Sequence, residues 1–168
     1  MEKEKTRIFT VVLFTIYLLI LIWIVLFKAS APAELRYLVC ERTLNFVPFQ
    51  YETELSSHLE EVVLNALVFL PFGLYGAMLR WKAWKTILLG FGISLIFEAL
   101  QYVLSIGAAD VTDLLMNTAG AAAGVCLYLL LRRICTGTDR LDRVLNVVMC
   151  AGTGLFLIAA AVLLIANA

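Results

Sequence analysis

Five long apolar runs, separated by clusters of lysine and arginine, constrain the fold of this chain more than any other feature of its sequence. The hydrocarbon core of a bilayer is roughly 30 Å thick, and a helix of about 20 apolar residues crosses it. The runs cover residues 8–27, 62–79, 86–104, 114–131 and 144–166. Because 62% of all residues are hydrophobic and only 15% are charged, little of the chain remains for a separate soluble domain. We therefore predict an all-α integral membrane protein with five transmembrane helices, in a single domain over residues 1–168.

The basic residues predict the orientation of these helices. Ten of the 13 Lys and Arg residues lie on one side of the predicted membrane, in the N-terminal segment and around residues 80–85 and 132–143. The other three, Lys28, Arg36 and Arg42, lie on the opposite side. Loops rich in lysine and arginine tend to stay in the cytoplasm. We therefore expect the N-terminus in the cytoplasm and the C-terminus outside.

The first apolar run has two interpretations. Ala29, Ser30 and Ala31 follow a basic start and an apolar run, as they would at a signal-peptidase site. The apolar region of a signal peptide usually has about 7–15 residues, and this run is longer. We favour a retained helix over a cleaved signal. In this topology Cys40 lies outside and Cys135 in the cytoplasm.

Six polar residues lie inside the predicted spans or at their outer edge. They are Asn65, Glu98, Gln101, Asp110, Asp113 and Asn117. At a rise of about 1.5 Å per residue, all of them fall towards the outer side of the bilayer. An unpaired acid inside a membrane costs several kcal/mol, so Glu98 is expected to have polar neighbours, with Gln101, Asn65 and Asn117 around it. We predict that the six residues form an outward-facing, ligand-binding pocket between the second, third and fourth helices.

Helical spacing places these residues on two stripes, because positions three and four apart share a helix face. The stripe on the third helix comprises Ser94, Glu98, Gln101 and Ser105. The stripe on the fourth helix comprises Asp113, Asn117, Gly120 and Gly124. Gly120 and Gly124 form a GxxxG pair, which lets a neighbouring backbone approach closely. We expect the two stripes to face each other.

Other residues are predicted to have structural roles. Pro71 and Gly73 should bend the second helix and open room beside the third and fourth helices. Asn45 and Pro48 belong to an outer segment that either lies against the bundle or forms a solvated turn. The fourth helix should begin close to Asp110 or Thr112, either of whose side chains can cap its first free amides.

Four motifs in this order resemble the VanZ-like family over about residues 16–124. They are NFVPF at 45–49, N-x5-PFG at 65–73, S-x3-E-x2-Q at 94–101 and D-x2-D-x3-N-x2-G-x3-G at 110–124. The resemblance implies a multi-pass protein of a bacterial cytoplasmic membrane. The founding member of that family is associated with low-level resistance to the glycopeptide teicoplanin, so a resistance or cell-envelope role is expected here. Many relatives carry an arginine just before the aspartates, where this chain has Gly107, Ala108 and Ala109. This difference predicts another ligand or another mode of binding.

Three functions remain open at this stage. The first is a resistance or cell-envelope factor whose outer pocket binds a lipid headgroup or a cell-wall precursor. The second is an intramembrane enzyme using Glu98, Asp110 and Asp113 as acids, bases or metal ligands, although no nucleophile motif supports it and we assign no catalytic residue, metal or cofactor. The third is a scaffold in which polar stripes hold helices together, with helix or homo-oligomer contacts as its partners. A formal net charge of zero argues against nucleic acid.

Overall fold

Five long helices make up almost all of the structure, a computed structural model that describes residues 2–27, 44–49, 55–105, 109–135 and 137–166. The elements are α1 (Glu2–Phe27), β1 (Leu44–Asn45), α2 (Leu55–Met78), α3 (Ala83–Leu104), β2 (Ala109–Asp110), α4 (Val111–Ile134) and α5 (Thr138–Ala166). All five helices contain a segment long and apolar enough to cross a membrane. The predicted all-α membrane fold with five spans is confirmed.

Most helices extend beyond their predicted apolar runs. α1 begins at Glu2 rather than at residue 8, and α2 begins at Leu55 rather than at residue 62. Residues 2–7 are all polar and yet helical, because a helix forms its backbone hydrogen bonds whatever its side chains are. Hydropathy therefore locates the membrane-crossing part of a helix but not its polar ends.

Side-chain contacts define two ends of the bundle. At the basic end, the start of α1 meets the start of α5, where Lys3 Nζ lies 2.9 Å from Asp139 Oδ2. The turn between α2 and α3 reaches the same end, because Arg80 Nη2 lies 2.6 Å from Asp142 Oδ2. At the opposite end, which we call the loop end, α1 and α3 end side by side. The two short strands lie at this end as well. The three basic segments are thus brought together, as their charge pattern predicted.

The core of the bundle is a close contact between α2 and α4. A Cβ added to Gly120 would lie 2.1 Å from the Ala66 carbonyl oxygen, and one added to Gly124 would lie 2.1 Å from that of Leu70. A Cβ on Gly73 would lie 2.0 Å from the Ala121 carbonyl oxygen. The GxxxG pair therefore does let a neighbouring backbone approach, and that backbone belongs to α2.

The expected room beside Pro71 is not found at the α2–α4 interface. α2 remains helical from Leu55 to Met78 with Pro71 inside it, and Gly73 lies directly against the backbone of α4. The Tyr17 hydroxyl of α1 donates a 2.8 Å hydrogen bond to the Val68 carbonyl, close to the residue whose N–H is missing. Glycines thus close the interface that a bend was expected to open.

α5 is the most peripheral helix. It packs mainly on α1, and large apolar side chains such as Val147, Leu155 and Ile165 are more than two-thirds exposed. In a membrane-spanning helix these side chains face lipid rather than water. An aromatic contact between Trp23 and Phe156 joins α5 to α1 in the half nearer the loop end.

Candidate functional site

The start of α4 organises the polar residues of the loop end. Asp110 is the N-cap, and its Oδ1 accepts a 2.6 Å hydrogen bond from the Thr112 amide. Of the two residues predicted as possible caps, Asp110 and Thr112, the structure has Asp110, which supplies an acceptor to one of the free amides of the first turn. The strands pair in parallel just before the helix, with Leu44 opposite Ala109 and Asn45 opposite Asp110.

The segment 44–49 is fixed against the start of α4 by side chains as well as by strand pairing. Asn45 Nδ2 donates to Asp110 Oδ2 at 3.1 Å, while Asn45 Oδ1 accepts from the Val47 amide at 3.1 Å. The Phe49 amide donates to Thr112 Oγ1 at 3.0 Å, on the far side of the turn that contains Pro48. Of the two predicted arrangements for this segment, the structure has the one that lies against the bundle.

Glu98 is joined to the same cluster. Glu98 is only 6% exposed, and its Oε2 accepts a 2.9 Å hydrogen bond from the Asp110 amide. The carboxylate therefore lies beside the N-terminus of α4, where the helix dipole favours negative charge. Asn45, Glu98 and Asp110 form a connected set that we call the carboxylate group. The position of Glu98 beside the start of α4 explains why the bundle tolerates a carboxylate near the end of a membrane span.

The other predicted site residues bond elsewhere. Asn65 Nδ2 donates to Asp113 Oδ1 at 2.5 Å, and Asn117 Nδ2 donates to Ser94 Oγ at 2.9 Å. Gln101 Nε2 donates to the Val25 carbonyl of α1 at 2.8 Å. The expectation that Gln101, Asn65 and Asn117 surround Glu98 is wrong, because each amide points to a different helix.

The two predicted stripes face each other only in part. Asn117 and Ser94 bridge α4 and α3, as expected. The rest of the α4 stripe, Asp113 with Gly120 and Gly124, is directed at α2. The reason is steric: only the glycine edge of α4 can approach the α2 backbone, and this sets the rotation of α4.

A cavity of about 300 Å³ lies beside the carboxylate group. All three members of that group line it. The remaining lining residues are mostly apolar and include Leu44, Phe46, Leu95, Ala99, Tyr102 and Leu114. The cavity thus lies between α3, the strands and the start of α4, rather than between α2, α3 and α4 as predicted. Asn65, Gln101, Asp113 and Asn117 do not line it.

The surface of this cavity is almost wholly apolar, although two acids are among its lining residues. Glu98 and Asp110 are the acids on the cavity wall, whereas Asp113 is bonded to Asn65. Within the described ranges, no three His, Cys, Asp or Glu side chains are grouped closely enough to hold a metal ion. The site therefore suits a mainly apolar ligand that carries a small polar part able to donate hydrogen bonds.

A second polar cluster, at the basic end, was missed by sequence reasoning. Asp142 accepts hydrogen bonds from Arg80 at 2.6 Å and from the Tyr128 hydroxyl at 2.8 Å, and Arg80 also donates to Tyr128. One turn further, the buried Asn146 donates to the Thr10 hydroxyl at 2.9 Å. Asp142 and Asn146 are four residues apart in a helix, a spacing that could have indicated a shared polar face.

These features define a class: a five-helix integral membrane protein with buried polar clusters towards both ends of its bundle. The family model described as VanZ/LLP1 matches residues 14–132, which include the carboxylate group and the α2–α4 interface. The chain belongs to the VanZ/LLP1 family, and the resemblance seen in its motifs is confirmed.

Comparison with individual proteins agrees. The chain is 33% identical over 141 residues to Protein VanZ of Enterococcus faecium, and the alignment covers 79% of this chain and 81% of that protein. No solved structure matches the chain. Family membership and five candidate spans support a multi-pass protein of a bacterial cytoplasmic membrane. At the level of function, the same findings support a role in teicoplanin resistance or in the cell envelope.

Proposed function

We propose that this chain binds the polar part of an amphipathic cell-envelope molecule at its carboxylate group, and that this binding lowers susceptibility to teicoplanin-type glycopeptides. The observation that carries the proposal is the joint lining of one cavity by Glu98, Asn45 and Asp110 together with apolar side chains. The acceptors would receive N–H or O–H groups of a lipid headgroup or a cell-wall precursor, and the apolar wall would receive its hydrocarbon part.

The orientation of the chain is part of this proposal. Ten of the 13 basic residues belong to the segments that meet at the basic end, which we place in the cytoplasm. Trp81 and Trp84 are partly exposed at that end, where aromatic side chains favour the membrane interface. The carboxylate group then faces the outer surface, where envelope ligands are found.

Neutralising the acids tests the polar half of the site. In a strain that lacks the chain, Glu98→Gln and Asp110→Asn are expressed at equal membrane abundance and teicoplanin susceptibility is measured. Both should lose most of the protection, since each removes a charge from the cavity wall while keeping the shape of the side chain. Glu60→Gln is the matched control, because Glu60 is an exposed acid of α2 that does not line the cavity. A loss of protection in Glu60→Gln, with little loss in Glu98→Gln and Asp110→Asn, would contradict the proposal.

Filling the cavity tests its apolar half. Ala99 lines the cavity on α3, whereas its neighbour Leu100 does not. Ala99→Phe should abolish protection by occupying the ligand's space, and Leu100→Phe should preserve it. If Glu98→Gln is tolerated while Glu98→Leu lowers abundance, the carboxylate only holds the helices together and binds no ligand.

A further inference from the structure

A separate cavity lies within the membrane-spanning part of the bundle, between α1, α2 and α5. Its volume is about 310 Å³. Its walls are largely apolar and include Ile20, Ile24, Val68, Pro71, Met149 and Phe156. On α2 it runs from Val68 to Tyr75, a rise of about 10 Å along the helix. The cavity is therefore a slot that follows the direction in which lipid chains run.

The slot lies beside the middle of α5, between two contacts of that helix with α1. At the basic end Asn146 bonds to Thr10, and towards the loop end Phe156 contacts Trp23. Between these contacts Val148 and Gly152 line the slot and are exposed, and nothing lies within 4 Å of the position that a Gly152 Cβ would take. Exposed wall residues in a membrane span mean that the slot opens towards lipid.

One polar group on the slot wall, the Tyr75 hydroxyl, has no hydrogen-bond partner among the described residues. Tyr75 is fully buried, and its hydroxyl makes no hydrogen bond within the part of the chain that the structure describes. The neighbouring Tyr17, whose ring centroid is 5.6 Å away, already donates its hydroxyl to the Val68 carbonyl. A buried hydroxyl without an acceptor is unfavourable, and the hydrocarbon core of a bilayer contains no water to supply one.

We propose that this slot holds one acyl chain of an ester-linked membrane lipid, and that the ester carbonyl accepts a hydrogen bond from the Tyr75 hydroxyl. The hydrocarbon core of the surrounding bilayer consists of such acyl chains. Their ester carbonyls are the hydrogen-bond acceptors nearest to that core. Water is a poor occupant because most of the slot wall is apolar and the slot opens towards hydrocarbon. A volume of about 310 Å³ spread over a length of about 10 Å gives a cross-section of roughly 30 Å², which is too small for a helix about 10 Å wide from a second copy.

Photolabelling tests where the acyl chain binds. The probe is phosphatidylglycerol with a diazirine on one acyl chain, incorporated into vesicles that contain the protein, and labelled positions are read by peptide mass spectrometry. Labelling of residues 148–156 is expected. Gly152→Leu, which places a side chain in the slot, should reduce this labelling at least fivefold. Gly154→Leu is the matched control, since Gly154 is two residues away and does not line the slot. Equal labelling of the two variants overturns the site.

An ester-to-ether comparison tests the hydrogen bond. An ether-linked analogue of the probe keeps the hydrocarbon chain and lacks the ester carbonyl. The ester probe should therefore label the unmodified protein about 2- to 10-fold more strongly than the ether probe. Tyr75→Phe should remove that preference. The variant loses no hydrogen bond within the described chain, so it should fold normally, which its thermal unfolding checks. Equal labelling of the unmodified protein by both probes overturns the proposal.

Discussion

A single methyl group added at Gly124 should push α2 and α4 apart. The Cβ of an alanine there would lie 2.1 Å from the Leu70 carbonyl oxygen and 2.9 Å from the Leu74 nitrogen. Non-bonded heavy atoms are comfortable at about 3.5 Å, so the helices must separate by at least about 1 Å. Both obstacles are backbone atoms of a regular helix, and no side-chain rotation relieves the clash.

The size of the effect follows from two opposing terms. Replacing glycine by alanine inside a helix normally stabilises it by about 0.5–1 kcal/mol. Overpacking a core costs about 1–3 kcal/mol, and a clash with backbone belongs at the upper end of that range. We therefore expect Gly124→Ala to lower the free energy of unfolding by about 2 kcal/mol, a roughly 30-fold change in the unfolding equilibrium.

The assay is equilibrium unfolding in bicelles, followed by helical circular dichroism. Gly92→Ala is the matched control, because nothing lies within 4 Å of a Cβ at that position of α3, and it should be neutral or slightly stabilising. Gly120→Ala should resemble Gly124→Ala. The double variant should cost less than the two losses added together, since both methyl groups separate the same helix pair. A Gly124→Ala protein as stable as Gly92→Ala would refute the close-contact reasoning.

Three further outcomes are expected. Asp142→Asn should destabilise the protein by about 1.5–3 kcal/mol in the same assay, since it weakens charged hydrogen bonds at a mostly buried site. Asp139→Asn, which breaks an exposed ion pair on the same helix, should cost about 1 kcal/mol or less. Gln101→Leu should cost about 1 kcal/mol by freeing the Val25 carbonyl, detected as faster hydrogen exchange at the end of α1. In single-cysteine variants on intact cells, an impermeant thiol reagent should label Cys40, which lies outside the described residues, and spare Cys135.

Each of these expectations has a clear contrary result. Equal losses for Asp142→Asn and Asp139→Asn would mean that burial at the basic end does not strengthen the interaction. Unchanged exchange in Gln101→Leu would remove the link between α3 and α1. Labelling of Cys135 alone would invert the proposed orientation and place the carboxylate group on the cytoplasmic side.

Much of the candidate site was predictable as a set of residues but not as an arrangement. The motifs and the spacing indicated Glu98 and Asp110 as polar residues near the outer end of the third and fourth spans, and both line the loop-end cavity. The part played by Asn45 could not be predicted in the same way. It reaches Asp110 through strand pairing across 65 positions, and no local pattern encodes that contact.

The sequence by itself determined the number of spans, their approximate limits and the grouping of the basic segments at one end. These properties depend on hydrophobicity and charge summed along the chain, which act on each segment whatever its neighbours are. It also limited the cap of α4 to Asp110 or Thr112, because an N-cap is a contact between residues two apart.

Only the tertiary structure decided how each helix is rotated about its axis and which helix each polar residue meets. Asp113 and Asn117 share a face of α4, yet one bonds to α2 and the other to α3. Gln101 turns instead to α1, whose position no periodicity reveals. The physical reason is that the glycine edge of α4 fits directly against the α2 backbone. That contact fixes the rotation of both helices, and the polar side chains then bond to whichever acceptor the rotation brings within reach.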